Sequence, residues 1–211
     1  MVLTQTPCSF IWAANSRMPL KITKTMLTRI LSYHQVMIGY LDFISVFGLQ
    51  SEPRDLRFSG FREQTLLRDP PYVDPVSSLG RSGRQYQMCY NLKSVSCKTS
   101  QTTYIEEKNW VIRQAAFHHQ FDVVEGTTTW IVTEGRHEIM DRVKQLTGKD
   151  GKPEDRACDT TENSFRSTLA VHLLCANWSA EAWRWYIQWL EQVIDRQVRT
   201  PVALITNGDN S

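Results

Sequence analysis

No stretch of this 211-residue sequence carries the about 20 apolar residues that a membrane span needs. The best charge-free run, 167–180, is short and interrupted by Ser, Thr, His and Asn. Net charge is also nearly absent. Lys and Arg number 24 against 22 Asp and Glu, a formal +2, so no global field draws the chain to nucleic acid or to an anionic bilayer. A basic region followed by an apolar run is missing at the N-terminus, and no secretory leader is expected. The five cysteines, at 8, 89, 97, 158 and 175, contain no CxxC pair and leave one unpaired in any full disulfide scheme. Reduced, buried or idle thiols are the economical reading. What is present is core-forming material. A 41% hydrophobic and 10% aromatic content excludes a mainly disordered chain.

Periodicity orders that material. Residues 8–13 are short, aromatic and strand-like. From Thr23, placed as an N-cap, Met26, Leu27, Ile30, Leu31 and His34 recur at helical spacing. Gly39 interrupts the next apolar block, so the 24–47 region reads as two helices. Residues 50–83 are Pro- and Gly-punctuated and read as a connector, with 68–83 a flexible linker. Strands are expected near 86–95, 110–121 and 127–134, the last two forming a hairpin, assembled as an antiparallel meander. The C-terminal third reads as helices: a short one over 139–146, a second from Ser164 to about Asn177, and a long one capped by Ser179, closed by Pro201. This order predicts an α+β fold, a mostly antiparallel sheet of three to five strands flanked by N-terminal and C-terminal helices. One domain is expected over 1–211, with a tail at 200–211.

Candidate chemistry is thin. His118 and His119 adjoin Gln120-Phe121-Asp122, but neighbours on a strand point to opposite faces, so at most one of the pair faces a given site. No HExxH, HxH or Cys pair supports zinc, and no GxSxG supports a nucleophile. His34 is expected to pack at the boundary of the first helix. No catalytic, metal or cofactor-binding residue is expected, and an enzyme using His118 or His119 is the alternative. On the long helix, Trp183, Tyr186, Ile187, Leu190, Val193 and Ile194 form the expected core face. Trp185 and Trp189 then stand roughly opposite, too apolar to leave in water. Two readings stand: another part of this chain covers them, or they bind a partner.

Several runs together resemble one family. Asn15-Ser16-Arg17-Met18-Pro19-Leu20-Lys21-Ile22-Thr23, Tyr33-His34-Gln35-Val36, Arg54-Asp55, Phe58-Ser59-Gly60-Phe61-Arg62 and Tyr90-Asn91-Leu92 occur in order. So do Ile112-Arg113-Gln114-Ala115-Ala116, His118-His119-Gln120-Phe121-Asp122 and Trp183-Arg184-Trp185-Tyr186. From about residue 8 to residue 199 the chain resembles the N-terminal region of fungal CorA-like transporter-domain proteins. The resemblance implies a soluble interaction or regulatory domain of a divalent-cation transporter-type protein, with long helices and membrane spans following it in the full-length context. The Gly-Met-Asn motif of CorA ion entrances is absent, and no carboxylate matches a family-type regulatory magnesium site. Transport by this chain alone is therefore not expected. Its implied partner is a missing C-terminal helical or transmembrane region, or a second subunit, with no nucleic acid and no membrane insertion by the chain itself. The implied location is cytoplasmic, at a membrane in the full-length context. A stand-alone adaptor is a further alternative.

Overall fold

The computed structural model describes residues 8–15, 17–48, 58–68, 81–98 and 109–206, with side chains up to 199. Among these residues five strands form one sheet, β1 (Cys8–Ala13), β2 (Phe61–Leu66), β3 (Gln85–Cys97), β4 (Trp110–Asp122) and β5 (Thr128–Gly135). Their order across the sheet is β1-β5-β4-β3-β2. The expected meander exists as β3-β4-β5, antiparallel throughout, with Cys89 opposite His118 and His119 opposite Trp130. At its far end β1 pairs with β5 in parallel, which makes the sheet mixed. β2 is a strand where an irregular connector was expected. The rest of the expected 68–83 linker lies mostly at 69–80, outside the described residues, as do the last five residues of the tail.

Among the described residues six helices complete the α+β fold: α1 (Lys24–Tyr33), α2 (Tyr40–Ile44), α3 (Glu138–Thr147), α4 (Pro153–Arg156), α5 (Thr161–Ala180) and α6 (Trp183–Thr206). Thr23 caps α1 as expected, its Oγ1 accepting from the Met26 amide at 3.2 Å. Helices cover both faces of the sheet. On one face Tyr40, Phe43, Ile44 and Phe47 pack against Ile11, Cys89, Ala116 and Ile131. On the other, Ile139, Val143, Val171, Cys175 and Trp178 pack against Ala115, Phe117, Trp130 and Val132. β4 and β5 are thus buried on both sides, which is why their sequences do not alternate cleanly between apolar and polar residues.

The C-terminal helices depart from expectation at their junction. Ser179 does not cap the long helix; it lies inside α5 and donates its Oγ proton to the Lys93 carbonyl at 2.9 Å. The break falls at Glu181-Ala182, where Ala182 adopts φ +60°. Glu181 is anchored there by Arg142 of α3, with Nη2 to Oε2 at 2.7 Å. α6 then continues through Pro201 to Thr206 instead of closing before it.

Candidate functional site

Strand parity sends His118 and His119 to opposite faces, as expected, and each meets a different polar network. His118 lies under α2, tilted against the Tyr40 ring, and its Nε2 is 3.0 Å from Gln87 Oε1. The same oxygen accepts from the Met37 amide at 2.8 Å, so His118 Nε2 carries the proton and donates. Nearby, the buried Arg81 donates to the His34 carbonyl and to Thr129 Oγ1, each at 2.9 Å. His34 sits half-buried at the end of α1, with its Nδ1 3.4 Å from Arg81 Nη2. Gln120 and Gln85, bonded to each other, complete this layer. It closes on Asp122, whose carboxylate accepts from the Ser82, Val124 and Glu125 amides and so fixes the β4-β5 turn.

On the opposite face, four side chains form a continuous relay. Tyr90 hydroxyl meets His172 Nδ1 at 2.7 Å, His172 Nε2 meets His119 Nδ1 at 3.0 Å, and His119 Nε2 meets Thr128 Oγ1 at 2.9 Å. One proton per link satisfies the whole chain when both imidazoles are neutral, in either of two opposite polarities. Burial enforces that neutrality. It holds His172 down at about 4 and His118 at about 3, and drives His119 well below its ordinary value, with His172 as a second cause. Trp130 stacks on His119 with centroids 4.1 Å apart. Sequence reasoning missed His172. Its only signal was a polar residue inside the apolar 167–180 run.

Both ring nitrogens of His119 and of His172 are thus occupied by other side chains. Among the described residues no group of three or more His, Cys, Asp or Glu is disposed to hold a metal ion. Two further acids, Glu134 buried and Glu138 partly exposed, serve as ties. Glu134 accepts from the Ile139 and Met140 amides at the start of α3, and burial raises its carboxyl to about 7. Glu138 accepts from Arg113 Nε at 3.0 Å and from Trp178 Nε1 at 3.2 Å, joining α3, β4 and α5.

The aromatic helix separates the two tryptophans that the sequence grouped. Trp185 is 62% exposed, with Arg184 over its ring at 5.9 Å. Trp189, expected beside it in water, is only 9% exposed: its ring packs on Tyr186 and Trp110, with centroids 5.7 and 6.2 Å away. The expected core face fails in the complementary way. Ile187 and Ile194 are more than half exposed, and Leu190 stands at the margin. The physical reason is the end of β4. It presents Trp110 to the first turns of α6, and the Trp183, Tyr186 and Trp189 rings follow that aromatic platform in preference to the aliphatic stripe.

A mixed sheet layered by helices on both faces, with a polar layer on either side of its central strands, defines an α+β fold. No helix among the described residues is long and apolar enough to cross a membrane. Residues 5–202 match the family model of CorA-like transporters, and the chain belongs to that family. No curated protein and no solved structure matches it.

Proposed function

We propose that this chain is the interaction or regulatory domain of a CorA-like, divalent-cation transporter-type protein, acting in the cytoplasm beside a membrane-embedded partner. In this reading residues 8–199 form one domain, 68–83 is a linker, and 200–211 is a tail. The chain carries no ion across a bilayer by itself and catalyses no reaction. The observation that carries the proposal is α6, which leaves the sheet after its first turns with Trp185 and an aliphatic stripe in solvent. An amphipathic helix of that kind docks to other helices. Trp185 and Trp189 form the partner-binding pair in unequal roles: Trp185 enters the contact, while Trp189 holds α6 on the Trp110 platform that aims it. The partner is a C-terminal helical or transmembrane region of a transporter, or a second subunit.

Supporting the non-enzymatic reading, both ring nitrogens of His119 are taken by neighbouring side chains, and His118 spends its Nε2 on Gln87. Two measurements test the proposal. The purified chain, added to liposomes loaded with a magnesium-sensitive dye, should give no ion entry, and entry at a rate above empty liposomes would sink the no-transport reading. Trp185→Lys should keep the native circular dichroism spectrum and lose co-purification with CorA-type membrane proteins from the source cells. Retention equal to that of the unaltered chain refutes docking through Trp185.

A further inference from the structure

We propose that two copies of this chain join through their β2 edges into one continuous ten-stranded sheet, with a two-fold axis passing through Gln64. Among the described residues β2 ends the sheet, and all six of its residues are exposed. Such an edge offers unpaired backbone groups to another strand. The Gly60 carbonyl accepts from the Asn91 amide. In this antiparallel register the even-numbered residues therefore turn their backbone groups toward β3, and Phe61, Glu63, Thr65 and Leu67 turn theirs outward.

Identical antiparallel edges related by an axis normal to the sheet pair residues of the same parity, because each face must continue as itself. Charge then selects one register. An axis through Glu63 sets Glu63 against its own copy, and an axis through Thr65 sets Arg62 against Arg68. Like charges directly opposite destabilise a strand pair. An axis through Gln64 avoids both. It bonds Phe61 to Leu67 and Glu63 to Thr65 through their outward backbone groups, and faces Arg62 with Leu66. Its apolar members are otherwise left in water, Phe61 at 58%, Leu66 at 43% and Leu67 at 54% exposure.

α5 supplies the rest of the surface. Its His172 and Ser179 touch β3, while Ser167, on its opposite flank, bonds the Ala157 carbonyl beside α4. At 100° per residue, the side chains next round the helix beyond His172 are Phe165, Leu169 and Leu173. All three are exposed on the face that carries Phe61, the register partner of Tyr90; Phe165 rests edge-on against Phe121 of β4, and Leu169 and Leu173 follow on the flank turned away from α3. In the joined sheet the two β3 strands stand three spacings apart, roughly 14 Å. A helix with side chains is about 10–12 Å across. The two α5 stripes then face each other across a trough floored by Phe61 and Leu67 of both copies. Strand pairing alone falls short of the ~1,000 Å² of a stable interface, and these helices are what extends it.

Sedimentation velocity of the full chain over a concentration series tests the proposal. A concentration-dependent dimer is expected. Thr65→Pro removes an outward N–H without touching the β3 ladder and should give a monomer with an unchanged circular dichroism spectrum. Gln64→Lys and Gln64→Glu, which leave the backbone intact, should each weaken the dimer, and mixing them should restore it. Under oxidation Gln64→Cys should cross-link across the axis several-fold faster than Glu63→Cys. A monomer at every concentration overturns the proposal. So does a dimer that survives both Gln64 charge variants, and so does Glu63→Cys cross-linking as fast as Gln64→Cys.

Discussion

His172 joins α5 to the sheet through two hydrogen bonds, one to Tyr90 and one to His119. Replacing it by Phe keeps an aromatic ring of similar bulk but leaves the Tyr90 hydroxyl and His119 Nδ1 without partners. A buried polar group left unsatisfied costs roughly 1–3 kcal/mol, so with two such groups His172→Phe should lose at least that much in urea unfolding. Variants of exposed α5 positions such as Glu162 should stay close to the parent. At this scale the sequence was legible in part. Parity alone assigned His118 and His119 to different faces, because a strand allows nothing else. That His119 would be paired with a residue 53 positions away was not legible. The pairing depends on how α5 crosses the sheet, which no local pattern encodes.

The helices show where periodicity informs and where it misleads. α1 and its Thr23 cap follow from spacing and cap chemistry, and the central strands from their β-branched and aromatic content. β2 was invisible because all its side chains meet solvent, so burial imposes no alternation on Phe61 to Leu66. On α6 the wheel chose the aliphatic stripe, whereas the contact is decided by Trp110, far away in sequence. Trp189→Ala should therefore destabilise the domain by about 3 kcal/mol, read as a lower unfolding midpoint. Trp185→Ala should leave that midpoint nearly unchanged. The junction between α5 and α6 holds Ala182 at φ +60°, where a Cβ is disfavoured. Ala182→Gly should raise stability by about 0.5–1 kcal/mol once the added chain entropy of glycine is deducted, detectable in the same unfolding curves.

Across the whole molecule, protonation sets the acid limit of the fold. Burial lowers His34, His118, His119 and His172 below 6.5 in the folded state. The unfolded chain therefore binds more protons, and stability falls as pH drops from 6.5 toward 4. Glu134 acts oppositely. Its carboxyl is raised from 4.5 to about 7, so the stability it contributes is present below 4.5 and is lost as pH rises through 7. Four imidazoles oppose one carboxylate, and the net slope should be positive. Urea midpoints should increase from pH 4 to pH 6.5, and a flat or falling profile would contradict the neutral relay.

The parallel pairing of β1 with β5 also sets a timetable for synthesis. Cys8 needs Trp130 as its neighbour, and β5 lies between β1 and β4. At about 5–20 residues per second, roughly 6–24 s pass between the making of β1 and of the strand that receives it. Throughout that interval the apolar side of α1 and α2 has no sheet to cover, since Ile131 and Ala116 are not yet in place. The nascent chain is thus a holding problem before it is a folding one. A chaperone that binds short apolar segments should engage this chain chiefly through residues 8–47, and let go when the hairpin of β4 and β5 emerges.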